Sequence, residues 1–181
     1  MAPSSIPSRR ALIVIDIQND YFPGGAFEQW HAEQVLNQTL LAMAQAQAAG
    51  DAIILVQHIA DTRSGPAPFF NPQTQGVALH PQLLAAAVNA PIVVKQHADS
   101  FLDTTLTSHL QTLGCDQLLI CGMMTQNCIT HTALSPQAAN YQVAVLSDAC
   151  SSVSQMIHLI ALRALADRIP LLTTQEAWPV A

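Results

Sequence analysis

Three side chains able to do nucleophilic and acid-base chemistry follow three separate apolar runs. Asp16 comes directly after Ala-Leu-Ile-Val-Ile, where a carboxylate is costly unless something pairs with it. Lys95 comes directly after Pro-Ile-Val-Val and is the single lysine of the chain. An ammonium in that setting needs a carboxylate neighbour, and Asp16 is the natural one. Cys128 follows Leu-Leu-Ile-Cys-Gly by one short segment, Met123 to Asn127, ahead of a helical pattern. A helix N-terminus favours a thiolate, lowers the cysteine pKa and offers backbone donors to an oxyanion. Each residue alone also has an ordinary structural reading. Asp16 suits a turn or helix cap, Lys95 suits a snorkelling edge residue, and Cys128 suits a small buried hydrophobe.

The elements that must position them alternate between β-branched runs and stretches of helical period, the pattern of βαβ units around a parallel sheet. Strands are expected at Ala11 to Ile17, Ala52 to His58, Pro91 to Lys95, Gln117 to Gly122, Gln142 to Leu146 and Ile169 to Thr173. Helices are expected at Gln29 to Ala49 with a stop at Gly50, Pro81 to Val88, Asp103 to Leu113 with Asp103 as cap, Asn127 to Ala139, and Ser154 to Arg168. Between Ile59 and His80 the prolines and glycines forbid a long element, so that segment reads as a lid or binding loop. The expected fold is α/β: a three-layer α/β/α domain with a mostly parallel six-stranded sheet. In such sheets ligands bind beyond the carboxyl ends of the strands, where Asp16, Lys95 and Cys128 can meet in one crevice. Residues 1–9 are expected to form a flexible N-terminus and 10–181 a single domain.

Composition narrows the class. The 181 residues are 50% hydrophobic but only 10% charged, against roughly 25% in an average soluble protein. Eighteen glutamines replace the missing charge, and so neutral a surface suits burial against other subunits of a homo-oligomer. No apolar run approaches a membrane span, and a net charge of -6 with scattered basic residues excludes a phosphate-backbone partner. Cys115, Cys121, Cys128 and Cys150 have no zinc spacing and read as reduced thiols in a cytoplasmic protein. Arg9-Arg10 does not open an export signal, because Asp16 interrupts the apolar stretch after five residues.

Taken in order, these pieces resemble the isochorismatase-like cysteine hydrolases, the superfamily that includes nicotinamidases. The matching segments are Ile15-Asp16-Ile17-Gln18-Asn19-Asp20-Tyr21-Phe22, Val94-Lys95 with Ser100-Phe101, Gly122-Met123-Met124-Thr125-Gln126-Asn127-Cys128, and Ser147-Asp148-Ala149. The resemblance implies Cys128 as nucleophile, Asp16 as the base that takes its proton, and Lys95 as the cation orienting Asp16 and favouring the thiolate. It also implies a non-proline cis peptide between Met123 and Met124, and an oxyanion hole from the amides of Met124 and Cys128. A thioacyl intermediate on a small carbon-nitrogen substrate would follow, with no cofactor.

The chain departs from the nicotinamidase pattern after the second strand. Those enzymes carry an Asp-x-His metal pair there, whereas this chain has Gln57-His58-Ile59-Ala60-Asp61, and no metal is expected. Gln126 stands where the family often has Asn or Asp. Phe22, His97, Phe101, Gln126 and Asn127 are the candidate substrate contacts, while His131 and His158 read as packing groups. Gly24-Gly25 comes too late after the first strand for a dinucleotide loop. Three alternatives stand beside the amidohydrolase: isochorismatase-type cleavage of a small carboxylic-acid ether, a catalytically silent binding protein, and a redox-responsive thiol at Cys128 or Cys121. The presence of Cys128 favours the amidase branch over the ether branch.

Overall fold

The structure is a computed structural model that describes residues 9–179. Of the segment 1–9 expected to be flexible, residues 1–8 lie outside them, while Arg9 bonds Asp116 and the Leu113 carbonyl. Six strands form one sheet in the order β3-β2-β1-β4-β5-β6: β1 Arg10–Ile15, β2 Ala52–His58, β3 Ile92–Lys95, β4 Gln117–Met123, β5 Gln142–Ser151 and β6 Leu171–Leu172. Every strand pairing is parallel. β1 and β4 are buried along almost their whole length, as near-continuous apolar runs covered on both faces must be. Strand order reverses between β1 and β4, so right-handed crossovers leave the sheet on opposite faces there and open a crevice at the carboxyl ends.

Six α-helices accompany the sheet: α1 Ala32–Ala49, α2 Pro81–Ala86, α3 Leu106–Leu113, α4 Thr130–Ala133, α5 Gln155–Ala166 and α6 Thr174–Ala177. α1 closes on Gly50 in the left-handed region at φ 75, whose N–H reaches Ala46 and Gln47. The helix begins later than its apolar spacing suggests, because Gln29 and Trp30 donate instead to the carbonyls of Tyr21 and Ser152. α3 also begins later. Asp103 adopts φ 55 outside the helix, and Thr104 Oγ1 accepts the Leu106 N–H, so Asp103 is not the cap.

The helix expected over Asn127 to Ala139 is broken into three pieces. Thr125–Ile129 forms a π-helical turn, α4 ends at Ala133 ahead of Pro136, and a 3-10 turn covers Ala138–Asn140. β5 runs to Ser151, beyond its expected end, after a register shift opposite Ile120 and Gly122. The short α6 was detectable as Thr-x-x-Glu. Thr173 and Glu176 form a reciprocal capping box, and Asp148 receives the Thr174 N–H at 2.9 Å.

Gly122 is what lets β1 and β4 approach at the crevice. It stands opposite Ile15 with φ 121, and a Cβ there would overlap the Ile15 carbonyl oxygen. Gly122→Ala is therefore expected to cost at least about 1–3 kcal/mol for the backbone conformation alone, measured by urea unfolding followed by far-UV circular dichroism.

Candidate functional site

The three reactive side chains converge at the carboxyl edge. Asp16 ends β1 in the left-handed region at φ 54, a conformation aspartate tolerates better than most residues, and this turns its carboxylate off the strand. Lys95 reaches it from β3, which stands two strands, or about 9.6 Å, away from β1. Only a long side chain can span that gap across the end of β2. The Lys95 ammonium donates to Asp16 Oδ2 at 2.9 Å and to Cys128 Sγ at 3.2 Å, and Cys128 itself lies in the π-helical turn after β4. Asp16 is 0% exposed, Lys95 1% and Cys128 2%.

Burial decides the electrostatics. Desolvation pushes the Cys128 thiol above its ordinary range, the Asp16 charge pushes it further the same way, and Lys95 opposes without reversing the shift. The shift runs opposite to the lowered cysteine pKa expected at a helix N-terminus and favours the thiol at rest, because losing hydration outweighs the single ammonium beside it. For Lys95 burial works to lower the pKa, but the Asp16 carboxylate and Cys128 outweigh it, and the net shift is upward. Asp16 Oδ1 is buried and has no hydrogen-bond donor among the described residues. The Met123-Met124 peptide is cis, and the Met124 N–H bonds no other described group.

Two further residues belong to this centre. His58 ends β2, directly opposite Lys95 in register, and its Nδ1 lies 3.1 Å from the ammonium. Burial and then the Lys95 charge lower its pKa to about 4, so it is neutral. Tyr21 is buried beside the centre, its hydroxyl held neutral by burial first and then by the Asp16 charge. His58 carried a sequence signal, since it too is a polar residue closing an apolar strand. Tyr21 and Phe22 could not be ranked from sequence.

The other expected contacts divide. Phe22 packs at a tilt against His80, 4.5 Å between ring centroids, whereas the Tyr21 hydroxyl lies close enough to Asp16 to feel its charge. Phe101 is buried against Tyr141, which precedes the amino end of β5, and is a packing residue at that contact. His97 contributes its backbone carbonyl to Lys95 at 3.1 Å while its ring stands half-exposed near Asp103. Gln126 and Asn127 share the turn of Cys128 and are half-buried, Gln126 being held by the Ser152 hydroxyl at 2.6 Å. His158 and His131 are structural, bonded to Thr125 Oγ1 and to the Asn127 carbonyl.

A metal does not fit the centre. Ligand-type atoms of Asp16, His58 and Cys128 lie within 4.8 Å of one another, but the Lys95 ammonium contacts all three residues and already places a fixed positive charge among them. Above the centre, the long loop is tied to the residues that follow Asp16. Gln18 Nε2 donates to the Val77 carbonyl at 2.7 Å, Asn19 to Gln75 at 3.0 Å, and Asp20 Oδ2 accepts the Phe70 N–H at 2.7 Å. The segment expected to act as a lid is therefore fastened by the run that directly follows Asp16.

A buried carboxylate, ammonium and thiol at the switch point of a doubly wound parallel sheet define a hydrolase of the α/β class. The chain belongs to the isochorismatase family: the Isochorismatase domain model matches residues 10–177. An isochorismatase family protein of Bacillus subtilis, YddQ, is 35% identical over 81% of this chain and 80% of its own length. The nicotinamidase of Escherichia coli is 28% identical over 80% of this chain and 84% of its own. Among solved structures, an isochorismatase family protein from Desulfovibrio vulgaris superposes with a TM-score of 0.83 at 26% identity, covering 93% of this chain and 95% of that one.

The buried pair carries two expectations. Lys95→Met leaves the Asp16 carboxylate buried without its cation and should cost about 3–5 kcal/mol, while adding Asp16→Asn should recover part of that loss in urea unfolding. Because the folded pKa of Lys95 is raised, its stabilising contribution is complete below the unfolded value and disappears as pH rises through the folded one. The alkaline loss of stability should accordingly flatten in the double variant. Asp20→Ala strands the buried Phe70 N–H at about 1–3 kcal/mol, and trypsin should then cleave faster after the exposed Arg63.

Proposed function

We propose that this family member is a cysteine-dependent amidohydrolase that cleaves a carbon-nitrogen bond of a small molecule through a thioacyl enzyme. One observation carries the reading: the ammonium of Lys95 bridges Asp16 and Cys128 while the second oxygen of Asp16 has no donor. With the thiol protonated at rest, attack needs a base, and Asp16 Oδ1 is the open acceptor beside it. The Cys128 proton passes to Asp16 as sulfur bonds to the substrate carbonyl carbon, and the amide N–H groups of Met124 and Cys128 receive the oxyanion. Collapse breaks the carbon-nitrogen bond, and the proton on Asp16 leaves with ammonia or an amine. Water then gives a proton to Asp16 and attacks the thioester. Release of the carboxylic acid returns that proton to sulfur.

Lys95 keeps Asp16 oriented and offsets the charge on sulfur as it develops. No cofactor enters any step. The relatives named nicotinamidase and streptothricin hydrolase support a hydrolytic reaction on small molecules. On this reading Tyr21, Gln126 and Asn127 are the side chains proposed to touch the acyl group.

A panel of small primary and secondary amides, read by released ammonia or amine, tests this reading. Cys128→Ala should lower kcat/KM by at least about 1,000-fold on any amide the parent cleaves, with an unchanged circular dichroism spectrum. Intact mass spectrometry of the parent quenched during turnover should show an acyl adduct on the Cys128 peptide. Full activity in Cys128→Ala, or no turnover of any amide by the parent, would overturn it.

A further inference from the structure

The Lys95 ammonium has three protons and four acceptors around it: Asp16 Oδ2 at 2.9 Å, the His97 carbonyl at 3.1 Å, His58 Nδ1 at 3.1 Å and Cys128 Sγ at 3.2 Å. Two of these belong to Asp16 and Cys128, the groups proposed to react. The other two belong to residues with no part in that reaction and locate the nitrogen. His97 does so through its backbone, which any residue at that position supplies. His58 does so through its side chain.

We propose that His58 is a positioning residue for Lys95: its unprotonated Nδ1 accepts a hydrogen bond from the ammonium and holds it midway between Asp16 and Cys128. The lysine stem has to cross the end of β2 on its way from β3 to β1, and His58 is the residue that ends β2 and faces Lys95 in register. The backbone of His58 is itself clamped. Its N–H donates to Gln18 Oε1 at 2.8 Å, its carbonyl accepts from Gln18 Nε2 at 2.8 Å, and Gln18 is fully buried. A histidine fixed at the backbone, beside a buried cation, must present a lone pair rather than a proton to it. The mobile proton of the ring therefore sits on Nε2. The ionisable groups that act on the ring are Lys95, Asp16 and His97, with Cys128 close by.

This inference takes its catalytic meaning from the amidohydrolase reading, but its test needs no substrate. Because the chain has one lysine, protein grown on ¹⁵N-lysine gives a single ammonium signal, and the exchange rate of its protons with water reports how that ammonium is held. His58→Leu should accelerate the exchange by about tenfold, the loss of one charge-assisted hydrogen bond. His58→Asn, whose Oδ1 stands close to the position of Nδ1, should restore the parent rate to within about threefold. Equal rates in parent and His58→Leu, or an Asn variant no better than Leu, would overturn the proposal. In the parent itself, ¹⁵N-histidine spectra should show His58 unprotonated at Nδ1 and protonated at Nε2. The opposite tautomer would overturn the proposal even if neither variant folds. Absence of amide turnover with the expected exchange rates would count against the hydrolytic reading alone.

Discussion

A lysine ammonium with almost no exposure is tolerable only if acceptors surround it, and the rest of this structure follows from that requirement. Removing a charge from water costs several kcal/mol, and Asp16 alone would return that cost only with good geometry. The protein supplies the geometry by ending β1, β2 and β4 around the ammonium that β3 sends across. Parallel strands make this possible, because all their carboxyl ends lie on one edge. The order of the strands then explains the residue type. From β3, a side chain shorter than lysine does not reach β1.

The same constraint shapes the backbone around the crevice. Asp16 is turned into a left-handed conformation to face the ammonium, Gly122 gives up its side chain so that β4 can lie close to Ile15, and Cys128 sits in a π-helical turn rather than a regular helix. Such departures from ordinary geometry persist where surrounding contacts over-determine them, and they gather at working sites. Immediately after Asp16, the side chains of Gln18, Asn19 and Asp20 each fasten a different point of the 59–80 segment. One short run thus supplies the carboxylate and fastens the long loop. Gly76 belongs to the same packing, since any Cβ there would overlap the Asp20 carboxylate.

A sealed centre changes how its thiol works. In an open electropositive site a cysteine is active because it is already ionised. Here burial keeps Cys128 protonated, and the ammonium limits the penalty on the thiolate only as it forms. In the proposed reaction the proton acceptor is therefore as necessary as the nucleophile, and Asp16 Oδ1 has no hydrogen-bond partner among the described residues. Tyr21 and His58, both neutral, line the centre without adding a charge that would compete with the pair.

Asp16, Lys95 and Cys128 were legible in the sequence because each is a local anomaly: a charge or thiol at the end of an apolar run, with the strand count and parallel order implied by the alternation of periods. The ordered segments from Ile15 to Ala149 pointed to the family for the same reason. What the sequence left open were quantities set by residues far apart in the chain. Whether Tyr21 or Phe22 meets the nucleophile depends on how the turn after β1 packs under Phe70, and the place of His58 depends on its register with Lys95. The break in the helix after Cys128 and the late start of α3 arise where side chains and prolines compete with helical hydrogen bonds. The upward shift of the Cys128 thiol was invisible for the most general reason. A helix N-terminus is written in a dozen neighbouring residues, whereas desolvation is written by every element that closes over the site.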